Sequence, residues 1–246
     1  MNAQMRDAMF LREFCDYTSH GPESVATLLC DQLQASHRAK NFDLAGHLIA
    51  RLHLEMVMAM ETATAHMFAY SRWNSVNGVL GTLVRYDSRE LNRFLDALLA
   101  TDQPLAMLKL PKPSAVRHLA KNQAEFDTHY SDAWLARRIH AVCGMLQITS
   151  IKASYNRIKH ASVYSRHIVF LHSASLIQPE ATRAIKILHR GDGGRKFDIV
   201  DMAVTGQKGL DLAAKYKNNI SAIMASARGL AGFVAIALDN GLMELE

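Results

Sequence analysis

The stretch NFDLAGHLIARLHLEMVMAMETATAHMFAY, residues 41–70, sets Leu44, Leu48, Leu52, Met56, Ala59, Ala63, Met67 and Tyr70 at steps of three and four. A helix of 3.6 residues per turn brings such positions onto one face, so the spacing predicts one long α-helix from Asn41. Ile49, Val57, Met58 and Met60 lie off that stripe, and a helix apolar on several faces is expected at the centre of a packed core. Its methionines read as adaptable core filler.

Helical signals continue on both sides. Residues 1–17 form a first candidate that lacks the apolar run of a signal peptide. Gly21-Pro22 then interrupts the chain and restarts it, with Pro22 in a first turn, Glu23 at the positive end of the dipole and a second helix running to about Lys40. Asp87-Ser88 followed by Glu90, Leu91, Phe94, Leu95 and Leu98 predicts a capped helix ending near Ala100. The two prolines of Leu110-Pro-Lys-Pro-Ser114 exclude a continuous helix and predict an extended, hinge-like connector. From about Ser131, Leu135, Ile139, Val142, Leu146, Thr149 and Ala153 describe a bundle seam.

The period changes between residues 166 and 206. Short runs rich in Ile, Val and Phe at 166–172, 183–189 and 196–204, the last two flanking Gly191-Asp-Gly-Gly194, predict strands and a tight turn. These glycines lack the strand and helix context of a phosphate-binding loop. After Gly206 and Gly209 a final helix is expected to about Leu238, with Ser221, Ala225 and Gly229 forming a small-residue ridge suited to close backbone approach. Residues 220–238 are apolar, but Arg228 at their middle and the absence of a basic or aromatic belt argue for a buried or interface helix over a membrane span. The expected fold is therefore mainly α: a single-domain helical bundle (1–165) with a small antiparallel β-hairpin or meander insert (166–206) and a C-terminal helix returning to the bundle (207–246).

Composition narrows the functional classes. With 246 residues, 49% hydrophobic and 21% charged, the chain has the make-up of a soluble globular protein and not of a disordered one. Cys15, Cys30 and Cys143 form no C-x-x-C pair, which excludes a disulfide framework and points to a reducing, cytoplasmic setting. The twelve histidines show no H-x-x-x-H, H-x-x-H, E-x-x-H or D-x-x-H spacing, so no metal and no cofactor is expected. No G-x-S-x-G nucleophile elbow is present. A net charge of +5 permits a phosphate-bearing partner such as RNA without demanding one.

The chemistry-bearing segment is Tyr155-Asn-Arg-Ile-Lys-His160. Extending the seam 135, 139, 142, 146, 149, 153 by the same steps reaches Asn156 and His160, which puts an amide and an imidazole on the face that buries leucine and isoleucine. One reading makes them structural anchors, since buried polar groups must find hydrogen bonds. The other makes His160 a general acid/base assisted by Asn156, with Arg157 and Lys159 binding phosphate and Tyr155 beside them.

This Tyr-Asn-x-x-Lys-His segment, near the end of a long bundle helix, resembles a motif of proteins similar to the HEPN superfamily. The resemblance implies a helical bundle, dimerisation and a role in stress or phage defence, where active members cut RNA without a metal by an Arg and a His separated by four to six residues. His160 has Tyr155, Ser154 and Ala153 at the partnering positions, whereas Arg166 to His172 and Arg183 to His189 have the required spacing. The expectation is an interaction or nucleic-acid-contacting protein acting as a homodimer through residues 221–238 or their neighbour. A metal-independent ribonuclease using His160, or the pair Arg166 and His172, is the alternative, and a membrane-associated protein through the C-terminal helix is the weaker one.

Overall fold

The computed structural model describes residues 3–14, 20–73, 78–119, 122–146, 169–171, 184–190, 197–203 and 206–243, and it is mainly helical. The chain divides into two compact units, one formed by residues 1–21, 60–145 and 223–246 and the other by 22–59 and 146–222. In chain order the helices are α1 (Ala3–Glu13), α2 (His20–Arg38), α3 (Phe42–Tyr70), α4 (Gly78–Arg85), α5 (Ser88–Ala100), α6 (Pro104–Met107), α7 (Pro113–Val116), α8 (Gln123–His129), α9 (Asp132–Leu146) and α10 (Gly206–Asp239).

Helix α3 is the long element that the 41–70 pattern predicts. Leu48, Leu52, Met56, Ala59, Ala63, Met67 and Tyr70 are buried, and so are Ile49, Val57 and Met60 off the stripe. Leu44 and Met58 are the exceptions, 45% and 44% exposed. They share a narrow solvent-facing line with His47, Arg51 and Thr62, at offsets that return to one side of the helix. Hydrophobicity alone did not mark that line, because two of its members are themselves apolar.

In the first unit, two helix starts are capped in different ways. Asp87 caps α5 locally: it holds extended backbone angles while its Oδ1 accepts from the Arg89 and Glu90 amides at 2.6 and 2.8 Å. These two amides hold the Asp87 carboxyl below the usual range for an aspartate. Helix α4 is capped from a distance. The buried carboxylate of Asp7, on α1, accepts from Val79 N at 2.7 Å and Leu80 N at 3.3 Å. Gly78 has a left-handed φ of +63°, and a Cβ there would stand 2.5 Å from Asp7 Oδ2, so the close approach requires glycine.

Three helices end in the same six-residue lock, in which the two amides past the end bond back to carbonyls of the last turn. At α2, Lys40 N donates to His37 O and Asn41 N to Ser36 O. At α6, Lys109 N donates to Ala106 O and Leu110 N to Leu105 O; at α10, Gly241 N donates to Leu238 O and Leu242 N to Ala237 O. The central residue must be left-handed, and Lys40, Lys109 and Gly241 have φ of 55°, 54° and 64°.

The segment around Pro111 and Pro113 is not one extended connector. Pro113 occupies the first turn of the short α7, where a missing amide costs nothing, and a 3-10 turn, Arg117–Leu119, continues from it. The Arg117 guanidinium then forks onto Asp127 of α8 at 2.7 and 2.8 Å and reaches Gln123 Oε1 at 2.8 Å. At the chain start, α1 runs Ala3–Glu13, and the expected end at residue 17 lies outside the described residues.

In the second unit, three antiparallel strands, β1 (Val169–Leu171), β2 (Ala184–Arg190) and β3 (Phe197–Ala203), form a sheet in the order β1-β2-β3. Ala184 pairs with Ala203 and Arg190 with Phe197.

Helix α10 begins at Gly206 and carries Gly209 inside its first turn, where the sequence places a boundary. It is long and apolar enough to cross a membrane, with a mean hydropathy of 1.7 over its most apolar window, but 61% of that window is buried within the chain itself. The small-residue ridge does not admit a backbone at Gly229. Aromatic side chains fill the space, with Trp134 and Tyr130 lying 3.8 and 3.9 Å from where a Cβ would be, and Ala225 is exposed.

Replacing Asp7 by Ala strips one buried and one half-buried amide of their acceptor. It is expected to lower stability by about 1–3 kcal/mol, read by chemical denaturation, whereas Asp7→Asn, which keeps one acceptor oxygen, should lose less.

Candidate functional site

Helix α9 presents two chemically different faces. Leu135, Ile139, Val142 and Cys143 are buried on the inner side, as the seam from Ser131 predicts. Cys143 Sγ lies 3.6 Å from Met67 Sδ of α3 and beside Thr64. Burial pushes its thiol up to about 12, so it stays protonated and unreactive at neutral pH.

The histidines of α3 belong to the same interior logic. His66 lies against Phe14, just past α1, with ring centroids 4.1 Å apart and the planes tilted by 31°, and its Nδ1 lies 2.8 Å from Thr62 O. A carbonyl only accepts, so Nδ1 carries the proton and Nε2 is the bare nitrogen; among the described residues Nε2 has no hydrogen-bond partner. Burial lowers the His66 pKa against the opposing pull of the Thr62 carbonyl. In the second unit, His53 packs edge-on against Tyr216 at 5.4 Å, and burial alone brings its pKa down to about 4. The Tyr216 hydroxyl moves the opposite way, up to about 12, for the same reason. These groups are held in their neutral forms.

The outer face of α9 carries the charge. Arg137 and Arg138 are both exposed; Arg137 Nε donates to Ala133 O at 3.1 Å, and the Arg138 guanidinium lies 5.0 Å from the centroid of the Trp134 ring. Trp134 is braced from behind by Tyr130, which in turn stacks on Phe126 and on Phe233 of α10. A pre-ordered guanidinium on an aromatic face is a fit for phosphate and for the planar faces of bases.

The residues that the sequence nominates for chemistry, Tyr155, Asn156, Arg157, Lys159, His160, Arg166 and His172, lie outside the described residues. Helix α9 carries the seam leading to them as far as Leu146. In the sequence two adjacent arginines on an amphipathic helix do not stand out from any solvated face, and Trp134, four residues before Arg138, is the signal that distinguishes them. Among the described residues no three His, Cys, Asp or Glu side chains gather as a metal site. No family model, curated protein or solved structure matches the chain.

The depressed pKa of His53 makes stability depend on pH with a definite sign. The unfolded chain takes up this proton near pH 6.5 and the folded chain only near 4, so the stabilisation is complete above 6.5 and is lost as pH falls between these values. The full difference is about 3 kcal/mol. His53→Phe, which keeps the edge-on ring, should shrink the drop in Tm between pH 7.5 and 5, and an unchanged drop would show that His53 is not the group responsible.

Proposed function

We propose that the chain is a HEPN-like helical protein of the cytoplasm that works by contact, binding single-stranded RNA along the outer face of α9, in a stress or defence setting. The observation that carries this reading is the exposed pair Arg137 and Arg138, with Arg138 ordered over Trp134. Exposed arginines gain affinity for a polyanion by displacing its counterions, and an ordered guanidinium loses less freedom on binding. In this reading Arg157 and Lys159, further along the sequence, add phosphate contacts beside His160. In this reading the fold is a helical bundle interrupted by the small antiparallel insert near 166–206. A homodimer would form through α10 or its neighbour, where Ala222 and Ala225 remain exposed.

Fluorescence anisotropy with a labelled single-stranded RNA tests the proposal. Affinity should fall steeply with salt, with a logarithmic slope of about −0.7 for each phosphate neutralised, and Arg137→Ala with Arg138→Ala should flatten that slope by about 1 to 1.5. Binding that ignores salt, or that survives the double substitution unchanged, overturns it. Cleavage of the RNA in excess chelator, lost in His160→Ala or His172→Ala, would replace binding alone with metal-independent catalysis.

A further inference from the structure

Trp134 and Arg138 stand one turn apart on α9, and the first unit fixes the indole before anything binds to it. The Tyr130 ring meets it edge-on at 5.9 Å and lies in turn against Phe233 of α10. The Gly229 position of the same helix runs beside the indole rim, which is 3.8 Å from where a Cβ would stand. Arg138 lies over this half-buried ring, its Cζ 5.0 Å from the centroid, and is itself exposed.

The two neighbouring arginines are held in different ways. A guanidinium is planar and carries its N–H donors in that plane, so stacking uses its faces and phosphate binding its edges. With the indole on one side, the exposed Arg138 offers its opposite face to solvent. Arg137 Nε instead donates to Ala133 O at 3.1 Å, which lays the stem back along the helix and keeps the two terminal amino groups as outward donors. Ala133 and Ala141, one turn before and after Arg137, are exposed and small, so the line through it is shallow. Adjacent helix positions point about 100° apart, so the two side chains diverge from neighbouring lines of the face.

We propose, resting on the RNA reading above, that this face takes a nucleobase as well as phosphate: an unpaired base stacks on the outer side of the Arg138 guanidinium, adding a layer to Trp134, while Arg137 holds a nearby phosphate by its edge. The ligand must then present an open base face, which a duplex keeps inside its own stack. Arg138 contributes twice, its charge to the salt-dependent attraction and its plane to the stack. Lysine at the same position keeps the charge and loses the plane.

Fluorescence anisotropy with a short labelled oligouridylate, set beside an abasic ribose-phosphate oligomer of the same length, tests this. The wild-type protein should bind the RNA about tenfold more tightly, the order expected of one stacked base. Arg138→Lys should remove most of that preference, weakening the RNA while the abasic affinity and both salt slopes stay at their wild-type values. Arg137→Ala should act in the opposite sense, weakening both ligands by the same factor and lowering both slopes by about 0.7 with the preference intact. Both side chains are exposed, so Tm should not move in either variant. Salt-dependent binding without preference for the RNA, or a preference that survives Arg138→Lys, overturns base stacking and leaves the phosphate reading standing. Absence of salt-dependent binding to either ligand overturns both.

Discussion

A helix that is apolar around most of its circumference must be covered on most sides, and α3 imposes that requirement on everything near it. Helical geometry sends each of its residues to a set angle, so polar residues that fall between apolar ones are buried with them. Thr64, His53 and His66 are interior for this reason. Moving a charged imidazole out of water costs far more than moving a neutral one, and the interior resolves the conflict by holding both rings uncharged. The helix also supplies what partner it can: His66 reaches back one turn to the Thr62 carbonyl, which already lies in its own backbone ladder.

The ends of helices are the second constraint, because each leaves amides or carbonyls without an internal partner. Within the first unit, α5 solves its start with the residue just before it and α4 with a side chain 72 positions away in the sequence. Only the second solution ties elements together: Asp7 couples the position of α1 to the direction of α4, and Gly78 lets the two come close enough. The Arg12 to Asp239 pair adds a surface contact between α1 and α10 of the same unit, of the exposed kind that contributes little on its own.

The imidazoles and the thiol of the interior are separated by depth from the surface cations. The thiol of Cys143 and the rings of His53 and His66 are silenced by burial, while Arg137, Arg138 and Lys112 stand in solvent. General acid/base work needs a group whose pKa lies near the working pH, and burial moves these groups away from it. Exposed arginines keep their charge at any physiological pH, which is why the functional reading attaches to contact along α9.

The sequence by itself determined the elements whose information is local. The span of α3, the Asp87 cap, the end of α5 at Ala100 and the buried side of α9 all follow from spacing within a few turns, since helix period and capping act over three or four residues. Tertiary structure decided what depends on distant partners. It chose which side of α3 meets solvent, exposing Leu44 and Met58, because apolar residues are excluded from water only where another element arrives to cover them. It also set Asp7 at the start of α4, filled the space at Gly229 with aromatic rings, and joined residues 109–114 to 241–242 in one groove. None of these is written in a periodicity, because each is a meeting of segments that no run of neighbouring residues encodes.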